Sequence, residues 1–157
     1  MKTELETVIR APRTRCFDLS RDLDLHQRSM SASGERAVAA RTSDLIGFGE
    51  EVTWRARHFG VTHEHTARIT AFDRPAHFRD TMVRGRFKRF EHDHFFEDGS
   101  AGTIMRDVVV FESPLGPLGR LVDGVILVKY LRRLLEERNR AIRQAAEAQP
   151  PDSSDRR

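Results

Sequence analysis

The chain has 157 residues, of which 38% are hydrophobic and 32% are charged, as expected for one globular domain with a real core. No run approaches the roughly 18–20 apolar residues of a membrane span, and the N-terminus lacks the apolar core of a signal peptide. The net charge is only +3 with acids interleaved among the basic residues, which argues against a nucleic-acid partner. The single cysteine, Cys16, excludes an internal disulfide and predicts a cytoplasmic protein.

The first third of the chain predicts one strand, two short helices and a second strand. Residues 3–10 alternate between polar and apolar side chains, which is typical of a half-buried strand. Pro12 suits a first helical turn, and residues 13–30 carry apolar side chains at helical spacing with a break near residues 20–22. We therefore predict two short helices, then a strand around residues 36–43 and a turn at residues 47–49.

A long antiparallel meander follows. Alternating segments are joined by short turns that contain glycine or proline, and this pattern predicts antiparallel strands with one buried face. The predicted strands cover residues 51–59, 61–72, 77–83, 90–97 and 103–113. The densest basic patch, residues 84–90, lies beside a turn and is interpreted as a solvated hairpin end.

The C-terminal part predicts one long helix and a tail. Residues 120–147 contain no proline and trace an apolar stripe at helical spacing, with an amphipathic second half. Residues 148–157 are rich in proline, serine and charge, which predicts a disordered tail after a domain of residues 1–147.

The order of elements predicts an α+β fold in which the sheet buries its inner face against a single long helix. A strongly curved sheet that wraps around the helix satisfies this requirement. One helix does not fill the whole concave surface, so we expect a cavity between the sheet and the helix.

Two segments resemble a known superfamily. Residues 78–96 (FRDTMVRGRFKRFEHDHFF) are similar to the F-x-D-x-M-x-x-G-x-F-x(4)-H-x-H-x-F run of a bacterial subgroup of the SRPBCC superfamily, and residues 103–119 (TIMRDVVVFESPLGPLG) resemble the run that follows it. Arg86 replaces an expected proline and Phe90 an expected tryptophan. The resemblance covers about residues 1–140 and implies the helix-grip fold of START domains, birch-pollen-type allergens and polyketide cyclases. Function stays open, because that superfamily includes lipid carriers, hormone receptors and cyclases.

Two His-x-His pairs, His63/His65 and His92/His94, raise the question of a metal site. The turns predict that the following residues face one another across neighbouring strands: Trp54 and His65, Ile69 and Asp80, His65 and Arg84, Asp80 and His92, Phe78 and His94. In this register His65 and His92 lie about 13 Å apart along the strands and about 10 Å across them. Zinc ligands lie about 2 Å from one ion, so the two pairs are predicted not to share a metal.

The better metal candidate is His92 and His94 with Asp80, since alternate residues on a strand point the same way. The favoured interpretation is nevertheless that these imidazoles line a pocket and are satisfied by Asp80 and the backbone. We therefore assign no metal and no cofactor. For His63 and His65 we expect side chains wetted by solvent near the sheet edge.

Asp80 is predicted to be a buried carboxylate opposite His92, and such a group requires a partner. A His–Asp pair holds one imidazole tautomer and prepares the ring for general-base work or for orienting a polar ligand group. The sequence does not determine which alternate residues of the next strand face the cavity. Either Arg106 faces the cavity, or Asp107 does and adds a second acid.

The predicted function is binding of a small, largely apolar or amphipathic molecule in the cavity. Asp80, His92 and His94 would contact its polar group, and the apolar walls would come from Trp54, Phe78, Met82, Phe90, Phe96, Val122, Val125 and Ile126. One alternative is an aromatase/cyclase- or dehydratase-like enzyme with His92 as the base and Asp80 as its partner. A second alternative is an interaction protein with a filled core. The sequence does not determine the oligomeric state.

Overall fold

The computed structural model describes residues 1–113 and 116–148, with the backbone alone for residues 116–123. Within these residues, seven strands and three α-helices follow one another in the predicted order, with one short 3₁₀ turn at Ser31–Ser33. Their bounds are β1 (Lys2–Ile9), α1 (Arg13–Ser20), α2 (Leu23–Ser29), β2 (Arg36–Ala40), β3 (Glu51–His58), β4 (Val61–Asp73), β5 (His77–Arg84), β6 (Arg89–Gly99), β7 (Gly102–Glu112) and α3 (Gly116–Ala148).

The strands form one curved antiparallel sheet in the order β1-β7-β6-β5-β4-β3-β2. Consecutive strands from β2 to β7 are neighbours, as a meander requires, and β1 closes on β7. The predicted α+β architecture, with a curved sheet, a long C-terminal helix and two short helices after the first strand, is therefore confirmed.

Most of the predicted strand register is present. Trp54 pairs with His65, Ile69 with Asp80, Asp80 with His92, and Phe78 with His94. The predicted pairing of His65 with Arg84 is wrong, because a β-bulge between Thr66 and Ala67 places Thr66 opposite Arg84. A second bulge lies between Ile69 and Ala71. Bulges of this kind bend and twist a strand, so they contribute to the curvature of the sheet.

The hydrophobic core contains an aromatic cluster centred on Phe17 of α1. Its ring makes edge-on contacts with Phe72, Phe78 and Phe96, each with a centroid distance of 5.4 Å. Cys16, the neighbour of Phe17, is fully buried in the same core. Because α1 fills one part of the concave face in this way, α3 covers only the remainder.

Helix α3 begins at Gly116, four residues before the predicted start. Pro117 lies in its first turn, where a proline does not remove an intrahelical hydrogen bond. The helix ends at Ala148, and the rest of the predicted tail lies outside the described residues. None of the described helices has a segment that is both long enough and apolar enough to cross a membrane.

Candidate functional site

A cavity of about 530 Å³ lies between the concave face of the sheet and helices α2 and α3. It forms because the sheet curves away from α3 while Phe17 and its partners occupy the neighbouring space. Apolar side chains make up most of its wall, among them Val52, Trp54, Ala56, Ala67, Ile69, Phe78, Phe90, Val109, Leu127, Leu131, Leu134 and Leu135.

Six of the residues predicted to contact a ligand line this cavity: Trp54, Phe78, Asp80, Phe90, His92 and His94. Two others lie elsewhere. Phe96 is only 1% exposed and belongs to the aromatic core around Phe17, and Met82 is half-buried near the end of β5 beside Gly85. Both share a strand face with cavity residues, and only three-dimensional packing separates them from the cavity.

The helix wall predicted from the sequence needs correction. Val125 and Ile126 are 59% and 55% exposed and point away from the cavity. The side chain of Val122 lies outside the described residues. Leu127, Tyr130, Leu131, Leu134, Leu135 and Arg138 line the cavity from α3 instead. The first half of the helix is apolar almost all round, so the helical period alone did not identify the inward face.

Four side chains on β5, β6 and β7 form a histidine–aspartate cluster, which we define as Asp80, His92, His94 and Asp107. His94 Nε2 lies 3.0 Å from Asp80 Oδ2, and His92 Nε2 lies 2.8 Å from Asp107 Oδ1. Asp107 Oδ1 is also 3.0 Å from His94 Nδ1. The distance from His92 Nδ1 to Asp80 Oδ2 is 3.8 Å. Asp80 thus pairs more closely with His94, and Asp107 is the closer carboxylate of His92.

In the structure Asp107, and not Arg106, lies on the inner face of β7. A two-residue turn joins Gly99 to Gly102, and this places Asp107, which is 0% exposed, on the inner face. Arg106 points outward, where its guanidinium lies 4.5 Å from the Phe95 ring and pairs with Glu4. The site therefore contains a second acid, which lies behind the two histidines and out of the cavity.

Helix α3 contributes two residues that the sequence reasoning missed. Asn139 donates a 2.6 Å hydrogen bond to Asp107 Oδ2, and Arg138 Nη1 lies 3.4 Å from Asp107 Oδ1. Arg138 also donates a 2.9 Å hydrogen bond to the carbonyl of Ser20. Both side chains are buried although they lie in a charged run that is typical of a solvated helix face. In the sequence, only the position of Arg138 and Asn139 within the apolar stripe indicated that these two polar side chains are buried.

The cluster keeps both carboxyls ionised. Burial raises the pKa of Asp80, but the hydrogen bond to His94 and the charges of the neighbouring histidines outweigh burial and lower it to about 2. Burial acts on Asp107 in the same sense, and its bonds with both histidines and the charge of Arg138 hold its pKa well below the usual range. Burial and the charge of His94 lower the pKa of His92, against the opposing effect of Asp107.

A second polar group lines the cavity near α2. His26 Nε2 pairs with Glu35 Oε1 at 2.8 Å, and the Trp54 ring lies 4.3 Å from that of His26. His63 and His65 are half-buried cavity residues, and not the wetted side chains we expected. The buried Nδ1 of His63 has no hydrogen-bond partner among the described residues.

Comparison with known proteins identifies the fold. No protein-family model matches the sequence, and no curated protein matches it. Among solved structures, the protein TTHA0849 from Thermus thermophilus is 20% identical with a TM-score of 0.74, and 94% of this chain covers 100% of that one. The Ara h 8.0201 structure is 16% identical with a TM-score of 0.68, over 95% of this chain and 99% of that one.

A major latex-like protein from Panax ginseng has a TM-score of 0.69 at 15% identity, over 94% of this chain and 97% of that one. At such identities the similarity establishes architecture and not activity. The chain therefore has the helix-grip fold, as its sequence resemblance implied.

Proposed function

We propose that the protein binds a small, largely apolar molecule that carries one polar group. The observation that supports this function is a cavity of about 530 Å³ with mostly apolar walls, on which Asp80, His92 and His94 converge. Pockets for small molecules commonly have volumes of about 300–1,000 Å³ and combine apolar walls with a few placed polar groups.

The same cavity argues against an interaction protein with a filled core. Trp54, Phe78 and Phe90 line open space. Burial of apolar surface against these rings would supply most of the binding free energy, at about 25 cal/mol per Å². The polar cluster would determine orientation and specificity, because an unpaired polar group is costly once the ligand has displaced water.

Binding can be tested with a fluorescent apolar probe, 1-anilinonaphthalene-8-sulfonate, and by native mass spectrometry of freshly purified protein. We expect saturable binding of one probe molecule per chain, or a retained small molecule that the probe displaces. Ala56→Trp should weaken probe binding at least tenfold, because Ala56 is buried in the cavity wall and the indole would occupy the open volume.

Val125→Trp is the matched control, since Val125 is exposed on the outer side of α3. It should bind the probe as the wild type does. Absence of saturable binding together with a native mass equal to that of the bare chain would contradict the proposal. Equal probe affinities for Ala56→Trp and the wild type would also contradict it.

The enzyme alternative shares the cavity but is not singled out by a separate observation. It requires His92 to act with Asp80, whereas the nearer partner of His92 is Asp107, at 2.8 Å. The test measures turnover and ligand affinity of Asp80→Asn with a ligand identified by mass spectrometry. A loss of turnover with unchanged affinity would support the enzyme alternative.

A further inference from the structure

We propose that Asp80, His92 and His94 bind a divalent transition-metal ion, with Zn²⁺ as the expected species, in the wall of the cavity. This inference rests on the proposed ligand-binding function and extends it, because the polar group of the ligand would complete the coordination of the ion. The corresponding ligand class is an apolar molecule with an oxygen lone-pair donor, such as a carbonyl, hydroxyl or carboxylate.

The geometry of the three side chains suits a metal. His92 and His94 are alternate residues of β6, and Asp80 of β5 is directly opposite His92. Each offers one ligand atom, and these atoms all lie within 4.8 Å of one another. Tetrahedral ligands about 2.0–2.1 Å from Zn²⁺ are separated by about 3.3 Å. The observed separations of 3.0 Å (His94 to Asp80) and 3.8 Å (His92 to Asp80) bracket this value.

Asp107 supplies the second, independent observation. Its Oδ1 lies 2.8 Å from His92 Nε2 and 3.0 Å from His94 Nδ1, so one carboxylate contacts the far nitrogen of both rings. Metal-binding histidines commonly donate their other ring N–H to a carboxylate, which fixes the tautomer and the ring orientation. A proton on His92 Nε2 would point at Asp107 and leave the lone pair of His92 Nδ1 on the side of Asp80. His94 Nδ1 lies 3.0 Å from Asp107 Oδ1 and 3.5 Å from Arg138 Nη2, and His94 Nε2 lies 3.0 Å from Asp80 Oδ2.

Helix α3 holds this orienting carboxylate in place. Asn139 and Arg138 both donate to Asp107, which therefore stays an acceptor and cannot turn towards the cavity. Asp107 is fully buried and Asn139 is 1% exposed, so solvent does not compete for these bonds. The orienting group thus exists before any ligand or ion is present.

Asp80 and His94 already contact each other at the proposed site. His94 Nε2 and Asp80 Oδ2 lie 3.0 Å apart and form a hydrogen bond when Nε2 carries the proton. A metal ion bound by both side chains would take the place of that hydrogen bond, because it requires the lone pair of Nε2. Two imidazoles and one carboxylate with a free fourth position are typical of catalytic zinc sites. The free position opens into the cavity, because all three residues line it.

The experiment uses the full chain, stripped of metal with a chelator. Titration with Co²⁺ should give one equivalent of bound ion with the visible absorption bands of tetrahedral cobalt, and calorimetry should show that Zn²⁺ competes for the same site. His94→Ala should lower the affinity at least 100-fold. Asp107→Asn should lower it about 10- to 100-fold, the range for loss of an orienting carboxylate behind a ligand.

His26→Ala is the matched control, because His26 lies on the same cavity but pairs with Glu35. It should bind Co²⁺ as the wild type does. Absence of stoichiometric binding to the wild type would overturn the proposal, and so would equal affinities for His94→Ala and the wild type. The wild-type measurement needs no variant, so a variant that fails to fold leaves the test intact.

The two proposals fail separately. The dye experiment is carried out on metal-free protein and reports on the apolar cavity. The cobalt titration is carried out without dye or ligand and reports on the three side chains. Dye binding without cobalt binding would leave the ligand function standing and reject the metal site.

Discussion

Arg138 on α3 and Asp107 on β7 form a buried ion pair across the interface between the helix and the sheet. Arg138 Nη1 lies 3.4 Å from Asp107 Oδ1, and the exposed fractions of the two side chains are 7% and 0%. Asn139, the next residue of the helix, bonds the other oxygen of the same carboxylate. The contacts that hold α3 on the sheet are therefore also contacts of the histidine–aspartate cluster.

Arg138→Met should destabilise the fold strongly. The substitution keeps much of the side-chain volume but leaves Asp107 as a buried carboxylate without its cationic partner, which costs about 3–5 kcal/mol. The free energy of unfolding in urea measures the effect. Arg143→Met, at an exposed position of the same helix, should change it by less than about 0.5 kcal/mol. Equal stability of the two variants would show that the buried pair does not hold α3 on the sheet.

Phe17→Ala should remove the centre of the aromatic core. Phe17 is 0% exposed and contacts three other rings, so the truncation leaves a cavity that its neighbours cannot close. The expected loss is about 3–5 kcal/mol in the free energy of unfolding. Phe48→Ala is the control, because Phe48 is 68% exposed, and should be nearly neutral. A small loss for Phe17→Ala would mean that the rings do not form the core described above.

Asp18→Asn should destabilise the protein at neutral pH but not in acid. Hydrogen bonds from Arg74 and Arg21 lower the pKa of Asp18 below its ordinary value of 3.8. A carboxyl with a lowered folded pKa contributes stability above its unfolded pKa and loses it as the pH falls through the folded value. Because the side chain is 29% exposed, the contribution at pH 7 should be only about 0.5–1 kcal/mol.

Urea unfolding of Asp18→Asn and the wild type, at pH 7 and in acid below the folded pKa, measures this difference. Glu6→Gln serves as the control for removal of an exposed acid on β1. A stability difference between Asp18→Asn and the wild type that did not shrink in acid would contradict the assigned role of the Arg74 and Arg21 bonds.

Alternation along the strands was sufficient to predict which residues of β5 and β6 face each other. The pairings of Asp80 with His92 and of Phe78 with His94 follow from the period of two and from a short turn. The same rule failed for His65 and Arg84, because a bulge adds one residue to one strand and leaves no mark in the alternation. Local periodicity therefore predicts register only as far as the next irregularity.

The sequence by itself determined the order of the elements, the α+β class and the presence of an acid beside the 92/94 histidine pair. Only the tertiary structure decided that Asp107 lies behind both rings, that Arg138 and Asn139 reach it from α3, and that Val125 and Ile126 face outward. The physical reason is the range of the interactions. Patterns of two and 3.6 residues report on neighbours along the chain. The contacts that assemble this site join residues 31 and 32 positions apart. Packing alone determines which face of the helix is turned towards the sheet.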